Sequence, residues 1–352
     1  DFEFVALGTK MQRVNSVVNI DGFNRRAWLL RWIGSIATRK FTNDLHLIKS
    51  IRKVLQRGDV LAMYPEARYS ACGITSYLPD SVGKLVKKCK VPVVSVIHHG
   101  NHIFSPFYNF RKKKNVPFLT EFTKVLTPEQ IKEMSVAEIN EVIRKAFEYD
   151  DYKYILDNNI VIKEKFRAEG LHRILYQCPH CHTEFKMDSK GTEIFCTECG
   201  KKWHMNENGS LQALEGETEF SHIPDWYLWE RENVKKEIEE GKYYYEDTVD
   251  VFGEPRTQGF VPLGKAKITH DVNNGWIIEG HHNKADYRVH RKPLQINSLH
   301  VEYDYFRIRR ADCFDISTEN DSFYCYPTHN NVTKLAFATE ISYLMHEAKL
   351  KK

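Results

Sequence analysis

Cys178-Pro179-His180-Cys181 and Cys196-Thr197-Glu198-Cys199-Gly200 are two Cys-x-x-Cys knuckles with 14 residues between them. No other pattern in the chain limits its folding as strongly. Two residues between sulfurs let one tight turn aim both thiolates at a single ion, and two such turns complete a closed tetrahedral shell, the ligand set of structural zinc. A redox dithiol or a pair of disulfides leaves the matched spacing unexplained, and His180, His182 or His204 can stand in for one thiolate. With Cys178, Cys181, Cys196 and Cys199 as ligands and no open position, the zinc is expected to contribute folding free energy rather than to activate water. Segments 185–187, 193–195 and 202–204 are predicted as the strands of a zinc ribbon. Cys72, Cys89, Cys313 and Cys325 lack such spacing and are expected to be buried or idle. Thiols kept for metal point to a reducing compartment, the cytoplasm.

A ribbon of this size accounts for little of a 352-residue chain. Before it, β-branched runs at 17–20, 34–38, 60–64 and 91–97 alternate with helical stretches at 45–57 and 81–89, the pattern of an α/β layer with a mostly parallel sheet flanked by helices. Leu45, Ile48, Ile51 and Leu55 fall on one helical face. Thr127-Pro128-Glu129 is a helix start, so 128–149 reads as one amphipathic helix or a pair, with helical character to about 170. After the ribbon, a Glu- and Lys-rich helix is predicted over 225–239. Strands follow at 243–252, 259–269, 275–279, 287–291, 299–303, 307–316 and 322–326, and a final helix spans 332–350. The expected division is an α/β domain over 1–170, a zinc ribbon over 171–214, and an antiparallel β-rich C-terminal domain over 215–352 closed by a helix. Seven strands and one closing helix fit a pleckstrin-homology-like sandwich.

Residues 1–117 carry 20 Lys and Arg against 7 Asp and Glu, whereas the rest carries 31 against 40. A basic first domain calls for an anionic partner: phospholipid surface, coenzyme A phosphates, an acidic carrier protein or nucleic acid. The acidic setting of the ribbon argues against nucleic acid, and none is expected as a partner. The longest apolar run, 27–37, is interrupted by Arg31 and is too short to cross a bilayer, which takes about 20 residues. Two basic-aromatic combinations suit an interfacial anchor: Arg111 to Lys114 after Phe104, Phe107, Tyr108 and Phe110, and Arg25-Arg26 with Trp28 and Trp32. The first reads equally well as core aromatics beside a solvated loop.

Asp59 to Ser70 reads DVLAMYPEARYS, an apolar strand ending in Pro-Glu, with Glu66 and Arg68 placed for the crevice at the carboxyl end of an α/β sheet. Pro65, Glu66 and Ser70 match the Phe-Pro-Glu-Gly-Thr-Arg-Ser motif of the phospholipid/glycerol acyltransferase family, with Tyr64 in place of the Phe. Gly34-Ser35-Ile36-Ala37-Thr38-Arg39-Lys40 resembles that family's Gly-x-x-x-Ile-Arg-Arg motif, and the strand opening Val91-Pro92 resembles its fourth. Leu78-Pro79 and Gly83 resemble its Leu-Pro-Phe-Lys-x-Gly stretch. Ala67 stands for the motif's Gly, Arg68 for its Thr, Tyr69 for its phosphate-binding Arg, and Ser81 for the Lys of the later stretch. The resemblance covers about residues 1–150.

The family's first motif is His-x4-Asp, and Asp1, 33 positions before Gly34, is a candidate for its Asp. On that reading the chain begins inside the domain, five residues after the catalytic His. The resemblance implies that this His removes a proton from an acceptor hydroxyl while Asp1 orients it, that Glu66 assists, and that Arg39, Lys40 and Arg68 hold the acceptor. It implies a fatty acyl group moving from a coenzyme A or acyl-carrier-protein thioester to a glycerophospholipid precursor such as a lysophosphatidic acid. The enzyme would be cytoplasmic and peripheral on the inner face of an anionic membrane. The alternative is a non-catalytic, lipid-binding zinc-ribbon scaffold with a degenerate acyltransferase domain. His98, His99 and His102 follow the fourth motif and read as ordinary surface or core histidines.

Overall fold

The computed structural model describes residues 5, 8, 9, 12–42, 44–109, 111, 113, 116, 117, 119–255, 257, 259–329 and 332–351. Asp1 lies outside the described residues, as do Phe110, Lys112 and Lys114 of the first basic-aromatic segment.

β1 (Val14–Asn19), α1 (Ala27–Trp32), β2 (Ile36–Thr38), α2 (Leu45–Gln56) and β3 (Val60–Ala62) make a three-stranded parallel sheet with β1 in the centre. Val17 pairs with Ile36 and Val14 with Val60. Asp44 caps α2 by accepting a hydrogen bond from the Leu47 amide at 2.9 Å. The buried face of that helix is Ile51 and Val54, and Leu45 from the predicted face is 76% exposed.

α3 (Ser81–Cys89), β4 (Val93–His99), α4 (Asn101–Phe104) and β5 (Leu119–Leu126) follow, with β4 and β5 forming a separate antiparallel pair. The expected mostly parallel sheet is therefore three strands, and the Val91-Pro92 strand runs in another sheet. The cause is β5, which sequence reading missed. Its Glu121 and Lys124 disguise a strand that pairs with β4 from His99 opposite Leu119 to Val93 opposite Leu126. The predicted helix at 128–149 is a pair, α5 (Pro128–Glu133) and α6 (Val136–Phe147). Two complete capping boxes start them, Thr127 with Gln130 and Ser135 with Glu138. After α7 (Asp151–Asp157) the chain turns irregular, so helix does not persist to 170.

The ribbon is an antiparallel sheet of β6 (Met187–Lys190), β7 (Glu193–Cys196), β8 (Lys202–Met205) and β9 (Leu211–Ala213). α8 (Ile223–Glu239) leads to β10 (Tyr245–Gly253), β11 (Val261–Asp271), β12 (Gly275–His282), β13 (Ala285–Arg291), β14 (His300–Glu302), β15 (Cys313–Ser317), β16 (Ser322–Tyr326) and α9 (Val332–Leu350). These strands form one antiparallel sheet in the order β13-β12-β11-β10-β16-β15-β14, a four-strand meander joined to a three-strand meander through β10 and β16. The strand expected over 307–316 is only Cys313–Ser317, because Arg309 leaves the sheet to pair with Asp250 at 2.7 Å and to cover the Tyr326 ring at 4.1 Å.

One apolar cluster runs through all three units. Cys72, Ile103, Tyr152, Trp203, Trp226, Trp276, Phe314 and Leu335 belong to it, and the Trp203 and Trp226 rings meet at 5.0 Å. The α/β unit, the ribbon and the β-rich unit thus share a core, while Leu78, Leu126, Ile131, Ile139 and Ile143 form a separate cluster within the first unit and Tyr305, Cys313, Tyr324 and Tyr326 another within the last.

Candidate functional site: a metal centre and an interdomain crevice

The Cys178 and Cys199 sulfurs lie 3.8 Å apart, as do those of Cys181 and Cys196. All four sulfurs fall within 4.8 Å of one another. A tetrahedron with Zn–S bonds of about 2.3 Å has edges of about 3.8 Å, so the residues present fit a zinc ion. The knuckles are built alike. The His182 amide donates to the Cys178 carbonyl at 2.9 Å, and the Gly200 amide to the Cys196 carbonyl at 3.0 Å. Both closing residues are left-handed, His182 at φ 61° and Gly200 at φ 78°. Cys178 and Cys196 are buried and Cys199 is exposed. The candidate replacement ligands stand outside the cluster. His180 faces Glu219 at 3.4 Å, His182 packs near Trp229, and His204 Nε2 meets Arg167 at 3.1 Å.

Of the other predicted site residues, Asp1 is outside the described residues, and Arg39, Lys40, Glu66 and Arg68 follow the carboxyl ends of the parallel strands, where side chains leave the sheet. Arg39 and Lys40 come directly after β2, and Tyr64 to Ser70 after β3. The Lys40 ammonium lies 5.1 Å from the centroid of the Tyr69 ring, so these two loops meet. Tyr64-Pro65-Glu66-Ala67 is a turn closed by the Ala67 amide on the Tyr64 carbonyl at 3.0 Å. Ala67 has φ 54°, a conformation that favours glycine, at the position where the resembling motif has Gly. At the later stretch, the Gly83 amide donates to Asn140 Oδ1 at 2.8 Å, and a Cβ on Gly83 would fall 2.4 Å from that oxygen.

Most of these side chains are held by protein. Arg39 Nη2 donates to the carbonyls of Glu254, Pro255 and Asn320 at 3.0–3.2 Å. Arg68 donates to Ser298 Oγ and to Glu340 Oε2, both at 2.7 Å. Glu66 accepts the Ser76 amide at 3.1 Å, and burial pushes its carboxyl above the usual range. Burial pulls the Lys40 ammonium below the usual lysine range, against the opposing effect of Asp315, Glu302 and Asp21.

The far wall of the crevice belongs to the C-terminal sheet. His300 and Asp315 are directly opposed on β14 and β15, and their side chains are hydrogen-bonded through His300 Nδ1. Asp315 also accepts from Ser317 Oγ at 3.2 Å. The Tyr69 ring lies 6.0 Å from the His300 ring. Asp21, beyond β1, accepts from Tyr305 at 3.1 Å and pairs with Arg307 at 3.4 Å. Glu254 is fully buried; burial and then Asp21 push its carboxyl up to about 8. Sequence reading missed His300, Glu302 and Asp315. The available signal was two titratable residues at alternate positions among Leu299, Val301 and Tyr303.

Behind Tyr69, a cavity of about 30 Å³ is lined by Arg68, Phe107, Tyr227, Leu299, Val301 and Tyr303, among others. It has room for little more than a water molecule. The histidines after the fourth motif serve packing. His99 pairs with Glu121 at 3.0 Å, His98 meets Thr120 at 2.9 Å, and burial drives His102 down to about 3. Phe104, Phe107 and Tyr108 turn into or against the core and Lys113 is buried, so this part of the first basic-aromatic segment is interior. The second is exposed: no residue of α1 is buried, and Trp28 and Trp32 are 74% and 77% exposed.

Comparison with protein-family models, with curated proteins and with solved structures finds no match for this chain. Among the described residues no helix is long and apolar enough to cross a membrane.

Proposed function

We propose that the protein is an acyltransferase acting at an anionic membrane surface, moving a fatty acyl group from a coenzyme A or carrier-protein thioester to a hydroxyl of a glycerolipid precursor. The observation that carries this reading is the Lys40–Tyr69 contact, which joins the two loops whose sequences resemble the family's second and third motifs. The left-handed turn at Ala67 supports it from backbone geometry alone. In the reaction, the hydroxyl oxygen forms a bond to the thioester carbonyl carbon as the carbon–sulfur bond breaks. The hydroxyl proton passes to the His that the resemblance places before Asp1, and from there to the departing thiolate. Glu66, Arg39 and Arg68 shape the crevice from outside the reacting atoms, since each is already bonded to protein. Zinc, when bound, holds the ribbon closed, and its four-thiolate shell leaves no position for substrate.

A second reading has a specific observation in its favour. Arg39 Nη2, Arg68 and Glu66 are all hydrogen-bonded within the protein, as they would be in a lipid-binding scaffold that has lost turnover. Acyl transfer from radiolabelled oleoyl-coenzyme A and from oleoyl-carrier protein to lysolipid acceptors, with the full-length natural protein, separates the two. Thioester-dependent product formation is expected. Membrane binding with no product from any acceptor would replace the enzyme by the scaffold.

A further inference from the structure

The exposed side of α1 is apolar. Trp28 and Trp32 are 74% and 77% exposed, and Leu29 and Ile33, the next residue round in each turn, are 38% and 43% exposed. Positions i, i+1, i+4 and i+5 share one side of a helix, so these four side chains make a continuous strip. The segment 25–33, which spans the strip, contains Arg25, Arg26 and Arg31 and no acidic residue. All three arginines are exposed.

The β-rich unit places a second element of the same kind beside it. Between β14 and β15, residues 306–310 read Phe-Arg-Ile-Arg-Arg, in the acidic part of the chain. Phe306 is 65% exposed and the Arg310 side chain 78%, with Asp304 no closer than 3.6 Å. Arg307 and Arg309 are paired with Asp21 and Asp250, so they anchor the turn rather than add free charge. The turn is fastened to the lead-in of α1: the Tyr305 hydroxyl donates to Asp21 Oδ2 at 3.1 Å and Arg307 Nη1 to the Asp21 carbonyl at 2.8 Å. A second loop of the same unit holds that lead-in through the Gly259 amide on Asn24 Oδ1 and the Arg25 amide on the Thr257 carbonyl, both at 3.2 Å. Asp21 also acts electrostatically on Lys40 and Tyr69, which places this junction beside the crevice.

Indole rings next to guanidinium groups fit the boundary of an anionic bilayer, where the rings lie at headgroup depth and the cations meet lipid phosphates. A second copy of the chain fits poorly, because a two-fold contact through this face would set arginines against arginines. We propose that one membrane-docking face is built from both units, with Trp28 and Trp32 of α1 and Phe306 and Arg310 of the β-rich unit entering the same anionic bilayer surface. The proposal deepens the membrane-surface reading given above, and docking is measured without turnover. Full-length natural protein is mixed with vesicles of brominated phosphatidylcholine, with and without phosphatidylglycerol. Trp203, Trp226 and Trp276 are fully buried, so quenching by the bromine atoms reports mainly on α1. Quenching is expected with phosphatidylglycerol present and is expected to be lost in Trp28→Phe/Trp32→Phe. Phe306→Ala/Arg310→Ala, its fold checked by zinc content and circular dichroism, should weaken vesicle binding by about tenfold. Unchanged binding by that variant, or binding without quenching, overturns the shared face. So does a vesicle-free dimer that the Trp28→Phe/Trp32→Phe change dissociates, since a second copy would then cover α1. Docking through both elements without acyl transfer upholds the face and removes the enzymatic reading.

Discussion

Arg68 and Glu340 form a 2.7 Å ion pair whose side chains are 15% and 8% exposed, tying the motif-bearing loop after β3 to α9, 272 residues further along the chain. Arg231 of α8 reaches the other oxygen of Glu340 at 3.0 Å, so one carboxylate serves two guanidinium groups. Glu340→Ala leaves both cations without their partner and is expected to cost about 3 kcal/mol. Arg68→Ala keeps the Arg231 half and should cost clearly less. Urea unfolding followed by tryptophan fluorescence checks the order, and equal losses would contradict the shared carboxylate.

Ala67 offers a stabilising change. The left-handed conformation costs an L-residue about 1–2 kcal/mol, and glycine avoids it at an added unfolded-state entropy of about 0.4–1 kcal/mol. Ala67→Gly is therefore expected to raise stability by about 0.5–1 kcal/mol. A lowered melting temperature would show that the φ of 54° is not maintained in solution.

The four-thiolate centre predicts about one zinc per chain by elemental analysis, falling below about 0.1 in the Cys178→Ser/Cys196→Ser double variant. The ribbon shares its core with Trp203 and Trp226, so chelation should also change tryptophan fluorescence. Metal loss with an unaltered emission spectrum would mean that the ribbon holds its shape without the ion.

His222 and Asp150 are joined by a 2.7 Å hydrogen bond between α8 and the start of α7. That bond raises the His222 pKa above its usual value, against burial, with Asp225 also raising it and Lys153 lowering it. Burial raises Asp150, but the bonds from His222 and the Lys153 amide outweigh it and hold the carboxyl low. The histidine's contribution to stability is complete below its unfolded pKa of about 6.5 and is lost as pH rises through the higher folded value. The aspartate's is present above about 3.8 and is lost as pH falls through its depressed folded value. The pair should therefore stabilise most between about pH 4 and 6.5. His222→Gln should flatten the decline in stability between about pH 6 and 8, read from denaturation midpoints. An unchanged slope would exclude this pair as its source.

Trp28 and Trp32 lie one helical turn apart on a helix with no buried residue, beside Arg25, Arg26 and Arg31. Trp28→Ala/Trp32→Ala is expected to weaken binding to vesicles containing phosphatidylglycerol on the order of 100-fold. Binding by the parent protein should fall with salt. Sedimentation that is insensitive to both changes would remove α1 as the membrane contact.

Whatever depends on neighbours along the chain could be read from the order of residues. The thiolate spacing specified the metal cluster, Thr127-Pro128-Glu129 marked where the helices after β5 begin, and the last helix, Val332–Leu350, was legible in its extent. The sheet to which β4 belongs emerged from the fold, because β5 carries charges where a strand pattern expects apolar residues. Tertiary structure also decided the chemistry of the crevice. His300 and Asp315 face each other across two strands, and His300 approaches Tyr69, far away in sequence. Burial and charge pairing arise from what the fold brings together in space, so local pattern could place Arg39, Glu66 and Arg68 at strand ends but not reveal the partners waiting there.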